Sequence, residues 1–109
     1  MTKLKFGDVV LLRFPFTESD KTKKRPALVL LDTNDGDFLV SRITSKLYFT
    51  PFDVEINNWK TCNLKLPSVV RIHKMATLNV SLIDKILSKL DKEDIIRIKQ
   101  IIKNHIEEL

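Results

Sequence analysis

The apolar residues of this chain change period part-way along, and that change limits what it can fold into. Between Phe6 and Met75 they come in short runs rich in β-branched and aromatic residues, separated by proline, glycine and asparagine. From Leu82 onward they recur at three- and four-residue spacing. Runs of the first kind suit pleated, half-buried strands, and spacing of the second kind suits a helix with one buried face. Phe6 to Phe14 (FGDVVLLRF) predicts a strand closing at Pro15, and Ala27 to Asp32 (ALVLLD) a second, buried strand after a polar, charged loop. Asn34 to Asp37 (NDGD) places Gly36 where a tight hairpin turn needs positive φ, so Phe38 to Thr44 (FLVSRIT) should pair back antiparallel. Pro51 breaks a strand within YFTPFDVEI, and Asn57 and Asn58 mark a turn. Ser68 to Met75 reads as a further strand, with Val69, Arg71 and His73 alternating onto one face.

Beyond this point Ser81 is the expected N-cap of a helix carrying Leu82, Ile83, Ile86, Leu87 and Leu90. Asp91 is the N-cap of a second helix, with Glu93 and Asp94 in the first turn, where the helix dipole favours negative charge. Ile95, Ile98, Ile102, Ile106 and Leu109 form its apolar stripe. Short antiparallel strands followed by helix give an α+β, mainly β class: a small antiparallel β-barrel or bent sheet with a C-terminal helix packed on it, as one domain over residues 1–109.

Nineteen Lys+Arg against fourteen Asp+Glu give a net charge of +5, which favours anionic partners. The excess is uneven: Met1 to Arg25 holds seven basic residues against three acids, so an anion site is expected outside the C-terminal tail. Cys62 is the only cysteine, which excludes an internal disulfide and a cysteine-rich zinc site and fits a reducing cytoplasm. The N-terminus lacks the apolar h-region of a secretory signal, and no segment is long enough to span a bilayer. Two glycines cannot build a glycine-rich phosphate loop, and His73, His105 and Cys62 are too scattered to form a metal constellation, so no cofactor or metal is expected.

What remains is arginine and lysine among hydroxyls. Arg25 precedes Pro26, which biases its backbone toward an extended shape and mounts its guanidinium firmly. Such an arginine binds phosphate bidentately and stabilises charge building on phosphorus, although on composition alone a solubilising role beside three lysines is the simpler reading. Thr44 and Ser45 close a strand, where hydroxyls hydrogen-bond either a phosphate oxygen or their own turn. Arg71 beside His73 could tune a proton-transferring imidazole or form part of a polar sheet face. Phe14, Phe16, Tyr48, Phe49, Phe52 and Trp59 suit either base stacking or core contacts, and Lys21, Lys23 and Lys24 add sequence-blind attraction to a nucleic-acid backbone.

Four segments, GDVVLLRFPFT, KKRPALVL, GDFLVSRITS and PSVVRIHKMATLN, followed by a helical C-terminus, resemble in order and spacing the PemK/MazF-type toxins of bacterial toxin–antitoxin systems. The resemblance runs from about Phe6 to Leu90. It implies an SH3-like β-barrel with a C-terminal helix, a homodimer, and metal-independent cleavage of single-stranded RNA in the cytoplasm. It also implies a cognate antitoxin, an acidic or flexible chain that neutralises the groove. The family's catalytic arginine before proline corresponds to Arg25, and its threonine of the Thr-Ser pair to Thr44. Some members carry an arginine and an aspartate one residue apart where this chain has Arg71 and His73; His73 departs from that pattern and is the candidate acid or base. Ser45, Lys23, Lys24, Arg71, Phe16 and Thr17 are the candidate substrate-binding residues.

Metal-free RNA cleavage uses the 2′-hydroxyl as nucleophile and needs a proton acceptor, a donor for the leaving 5′-oxygen and cationic donors around phosphorus. Arginine suits the last role and is a poor base, because its pKa stays above about 12. The rival readings are a non-catalytic SH3-like binding module, a gyrase-poisoning toxin of the same fold, and a structural nucleic-acid binder.

Overall fold

The computed structural model describes residues 3–15 and 22–109. Strands β1 (Asp8–Pro15), β2 (Thr22–Asp32), β3 (Asp37–Thr44), β4 (Asp53–Glu55), β5 (Val69–Asn79) and β6 (Ile83–Lys89) form one antiparallel sheet in the order β4-β5-β3-β2-β1-β6. Helix α1 (Lys92–Glu107) ends the chain. The mainly β class with a C-terminal helix is the one expected, with the sheet left open between β4 and β6.

Alternation along the strands builds two cores. Val9, Leu28, Ile43, Val70 and Ile72 pack with Ile98 of α1, and Val10, Leu12, Ala27, Val29, Phe38 and Val40 pack with Leu4. Consecutive Val9 and Val10 thus serve opposite layers. The hairpin between β2 and β3 turns at Asn34 (φ 63°) and Gly36 (φ 91°), as the Asp-Gly signal requires. Gly7 is needed for a different reason. At φ 98°, a Cβ there would lie 2.8 Å from Ile95 Cδ1 of α1. Its backbone ties the start of β1 to β2 and to the β6–α1 junction through Gly7 N–H to Val29 O (3.1 Å) and Leu90 N–H to Gly7 O (2.9 Å).

Two sequence expectations are overturned. Leu82 to Leu90 is not a helix: one 3-10 turn at Val80–Leu82, capped by the Asn79 side chain rather than Ser81, leads directly into β6. The pairing of β6 with β1 shifts register twice, between Val9 and Val10 and between Leu11 and Leu12. Each shift inserts an extra residue, so apolar positions spaced for a helix satisfy a strand instead. The free edge of β1 accepts this partner, and tertiary pairing overrides local periodicity.

Residues 22–26 are also strand rather than loop. They pair with β1 (Arg25 with Leu12, Pro26 with Leu11), while β3 joins β2 only from Ala27 onward. This half of β2 is an edge toward β3, which is why Pro26, with no N–H to donate, is tolerated there. In α1, Ile98 is buried and Ile95, Ile101 and Ile102 pack beside it, but Ile106 and Leu109 overhang into solvent, so the stripe covers less than its spacing implies.

Candidate active site

A groove of about 660 Å³ crosses the sheet beside the exposed edge of β2. Lys24 and Arg25 of β2, Thr44 and Ser45 at the end of β3, and Lys85 of β6 line it, with Lys65 and Ser68 on the segment leading into β5. Leu11, Ile43, Leu64, Ile86 and Leu87 supply apolar walls. Among the described residues, no aspartate, glutamate or histidine lines it.

The chain has five arginines. Arg13, Arg71 and Arg97 each hold a carboxylate, on Asp84 (2.6 Å), Asp53 (2.8 Å) and Asp94 (2.7 Å) respectively. Among the described residues Arg25 and Arg42 have no such partner. Both line a second recess of about 450 Å³ with Lys74 and the apolar Leu12, Val40 and Met75, so Arg25 stands between the two depressions. Arg42 lies two residues before Thr44 on the same strand, a same-face spacing that could have flagged it in the sequence.

The Thr44 hydroxyl satisfies its own turn and remains available. Its oxygen accepts the Lys46 N–H at 3.2 Å, which orients the side chain and leaves the O–H free to donate into the groove. Lys24 is anchored beside Arg25: Asp84 takes Lys24 Nζ at 3.3 Å while Arg13 occupies its other oxygen. The hydrogen bond from Arg13, assisted by lesser contributions from Lys24, holds the Asp84 carboxyl below its ordinary value against the opposing effect of burial.

Arg71 and His73 lie elsewhere. Arg71 is neutralised by Asp53 and stacks over Tyr48, its guanidinium carbon 3.6 Å from the ring centroid. Between Ser41–Met75 and Arg42–Arg71 the β3–β5 pairing shifts, and His73 lies within this bulge without a β3 partner. His73 sits 5.2 Å from the Phe52 ring, which also meets His105 of α1 at 4.6 Å. A part for His73 in proton transfer at Arg25 and Thr44 therefore requires a second subunit or a substrate that reaches across. Phe16 and Thr17 lie outside the described residues, as does the Lys23 side chain. Sequence reasoning missed Lys65 and Lys85, which carry no motif and enter the groove through β6 and the approach to β5.

Burial pushes the Asp53 carboxyl up, but hydrogen bonds from Thr50 and Arg71 outweigh it and hold the pKa below 3.8. A depressed folded-state pKa contributes stability above the unfolded value, and that contribution is lost as pH falls through the folded one. Urea unfolding should therefore show stability falling below about pH 4, with a shallower fall in Asp53→Asn; equal slopes would remove Asp53 from the acid response.

The comparisons with known proteins bear on this geometry. The model of the PemK-like, MazF-like toxins of type II toxin–antitoxin systems matches residues 5–106. The chain belongs to that family. No protein of curated function matches the sequence. The fold is similar to that of the Mycobacterium tuberculosis toxin MazF-mt6, with a TM-score of 0.74 at 18% identity over 92% of this chain and 96% of that one. It is similar also to MazF from Deinococcus radiodurans, with a TM-score of 0.71 at 19% identity over 98% and 99% of the two chains. A mycobacterial endoribonuclease solved with its cognate antitoxin has a TM-score of 0.73 at 14% identity over 94% and 93%. At these identities the likeness is one of fold. PemK-like membership rests on the family model, which spans every strand and nearly all of α1.

Proposed function

We propose that this PemK-like chain is a toxin endoribonuclease that cuts single-stranded RNA without a metal ion and is held inactive by an antitoxin. The observation that carries the reading is a groove in which Arg25, with no carboxylate partner among the described residues, and an oriented Thr44 hydroxyl stand together. The names of the neighbouring endoribonucleases support it. In this reading the 2′-hydroxyl attacks the adjacent phosphorus, Arg25 stabilises the charge on the pentacoordinate centre, and the Thr44 O–H donates to a non-bridging oxygen. Ser45 and Lys24 hold the linkage in place.

Among the described residues, the lining of this groove supplies no carboxylate or imidazole to accept the 2′-hydroxyl proton. His73 fills that role if a second subunit presents it or the substrate reaches across to it. A homodimer formed through the second recess would serve, because the recess is largely apolar, Met75 within it is exposed, and Arg25 borders both depressions. The antitoxin would place acidic groups on the uncompensated cations, as expected for an electrostatically complementary partner. The chain would act in the cytoplasm; no helix among the described residues is long and apolar enough to cross a membrane.

The test is cleavage of a long RNA by purified protein in EDTA, with the ends mapped. The expected products carry 2′,3′-cyclic phosphate and 5′-hydroxyl ends. A 5′-phosphate or an absolute magnesium requirement would indicate a different mechanism, and intact RNA with salt-sensitive binding would indicate a non-catalytic binder.

A further inference from the structure

Lys65 and Lys85 have no ion-pair partner among the described residues, and both line the groove of Arg25 and Thr44. Their placement relative to Thr44 decides what they can touch. The sheet order runs β3, β2, β1, β6, so Lys85 on β6 lies three strand spacings from Thr44 on β3. At about 4.8 Å per spacing this is roughly 14 Å along the sheet. Arg25 is on β2, one strand from Thr44, whereas Lys85 is paired with Leu11 on the far side of β1, and Lys65 follows two residues after Asn63, whose Nδ2 donates to Leu87 O of β6 (2.7 Å). A phosphate in hydrogen-bond contact with the short Thr44 side chain is therefore not the one that Lys85 serves.

The groove is also larger than one phosphodiester requires. Its volume of about 660 Å³ falls within the range of about 300–1,000 Å³ that accommodates a whole organic ligand. Between the two cationic ends the lining is apolar, with Leu11 and Ile86 from neighbouring strands and Leu64 opposite. Such a surface accepts the faces of bases or sugars rather than further charge.

We infer that Lys65 and Lys85 form a second phosphate subsite, which grips the RNA backbone beyond the scissile linkage and lays the strand across β3, β2, β1 and β6. The inference rests on the ribonuclease reading and adds an extended substrate path to it. Because the two ammonium groups hold the chain at a distance from the reacting phosphorus, they bind substrate and transition state alike. Their loss raises KM and leaves kcat unchanged. Each lost contact also lowers the salt dependence of binding, by about 0.7 in the slope of log K against log salt for a single strand.

The experiment compares wild type, Lys65→Ala, Lys85→Ala and the double variant on a decamer RNA at several salt concentrations. Lys103→Ala on α1 serves as a control that removes the same charge away from the groove. The double variant should raise KM about tenfold with kcat within twofold, and its salt slope should fall by about 1.4, while Lys103→Ala leaves both unchanged. If wild type cuts the RNA and the double variant keeps its KM and salt slope, the subsite is wrong while the ribonuclease reading stands. A fall in kcat at constant KM would likewise overturn it, placing the lysines at the reacting centre. If wild type does not cut RNA, the ribonuclease reading itself fails. All three lysines are exposed, and circular dichroism verifies that each variant folds.

Discussion

Arg25→Ala is expected to lower kcat for RNA cleavage by about 10²–10³, the loss that follows when one preorganised donor is removed from a site that stabilises developing charge. The side chain is only partly buried and makes no ion pair among the described residues, so its removal should change folding stability by less than about 0.5 kcal/mol. Thr44→Val preserves the branched shape and removes the hydroxyl that the Lys46 N–H orients; a tenfold to hundredfold loss is expected, about 1.4–2.8 kcal/mol in the barrier. Single-turnover cleavage at saturating RNA, with urea unfolding of the same samples, separates chemistry from folding. Cleavage within threefold of wild type in both variants would take the reaction out of this groove. The pH profile of His73→Ala completes the test: a lost limb assigns proton transfer to that imidazole, brought to the groove by a second subunit or reached by the substrate, and an unchanged profile excludes it from proton transfer.

The largest expected effect on stability is at Asp94. Its side chain is 1% exposed in the first turn of α1, where it accepts the N–H groups of Asn57 (3.4 Å) and Asn58 (3.2 Å) and pairs with Arg97. Arg97 in turn donates to the Glu55 carbonyl, so one carboxylate fastens the helix to the loop that follows β4. Asp94→Ala leaves two backbone donors and a half-buried guanidinium uncompensated. The expected cost is about 3 kcal/mol, the lower end for breaking a buried pair because Arg97 keeps access to water. Asp94→Asn retains an acceptor and should cost about half as much. Urea unfolding measures both, and a loss below 1 kcal/mol for alanine would show that helix docking depends on Ile98 and its apolar neighbours alone.

Asp94 also illustrates the limits of reading the sequence. Its place in the first turn invites a helix-dipole explanation, yet two of its three partners lie 36 and 37 residues away. The β2–β3 hairpin was legible because Gly36 and Asn34 act within a few bonds. Arg25 and Thr44 were legible as candidates because Pro26 and a strand end constrain them locally. Their sharing of one groove was not, since it depends on β3 leaving β2 before Pro26. Helical spacing from Leu82 to Leu90 misled because two bulges let a strand carry the same spacing. The bulge opposite Ser41 and Arg42 likewise left no mark in the sequence, and it takes His73 out of the pairing with β3. Lys65 and Lys85 were silent, since a lysine's neighbours across a sheet leave no local mark.

By itself, the sequence determined whatever acts over a few residues: strand-forming runs, the turn at Gly36, the final helix, the excess of positive charge and the stiff backbone ahead of Pro26. Only the tertiary structure decided which strand covers the edge of β1, which arginines are neutralised and which cations meet beside Thr44. The physical reason is range: steric and dipolar preferences are set by adjacent bonds, whereas strand pairing and charge compensation depend on groups far apart in the chain that the folding of the sheet brings together.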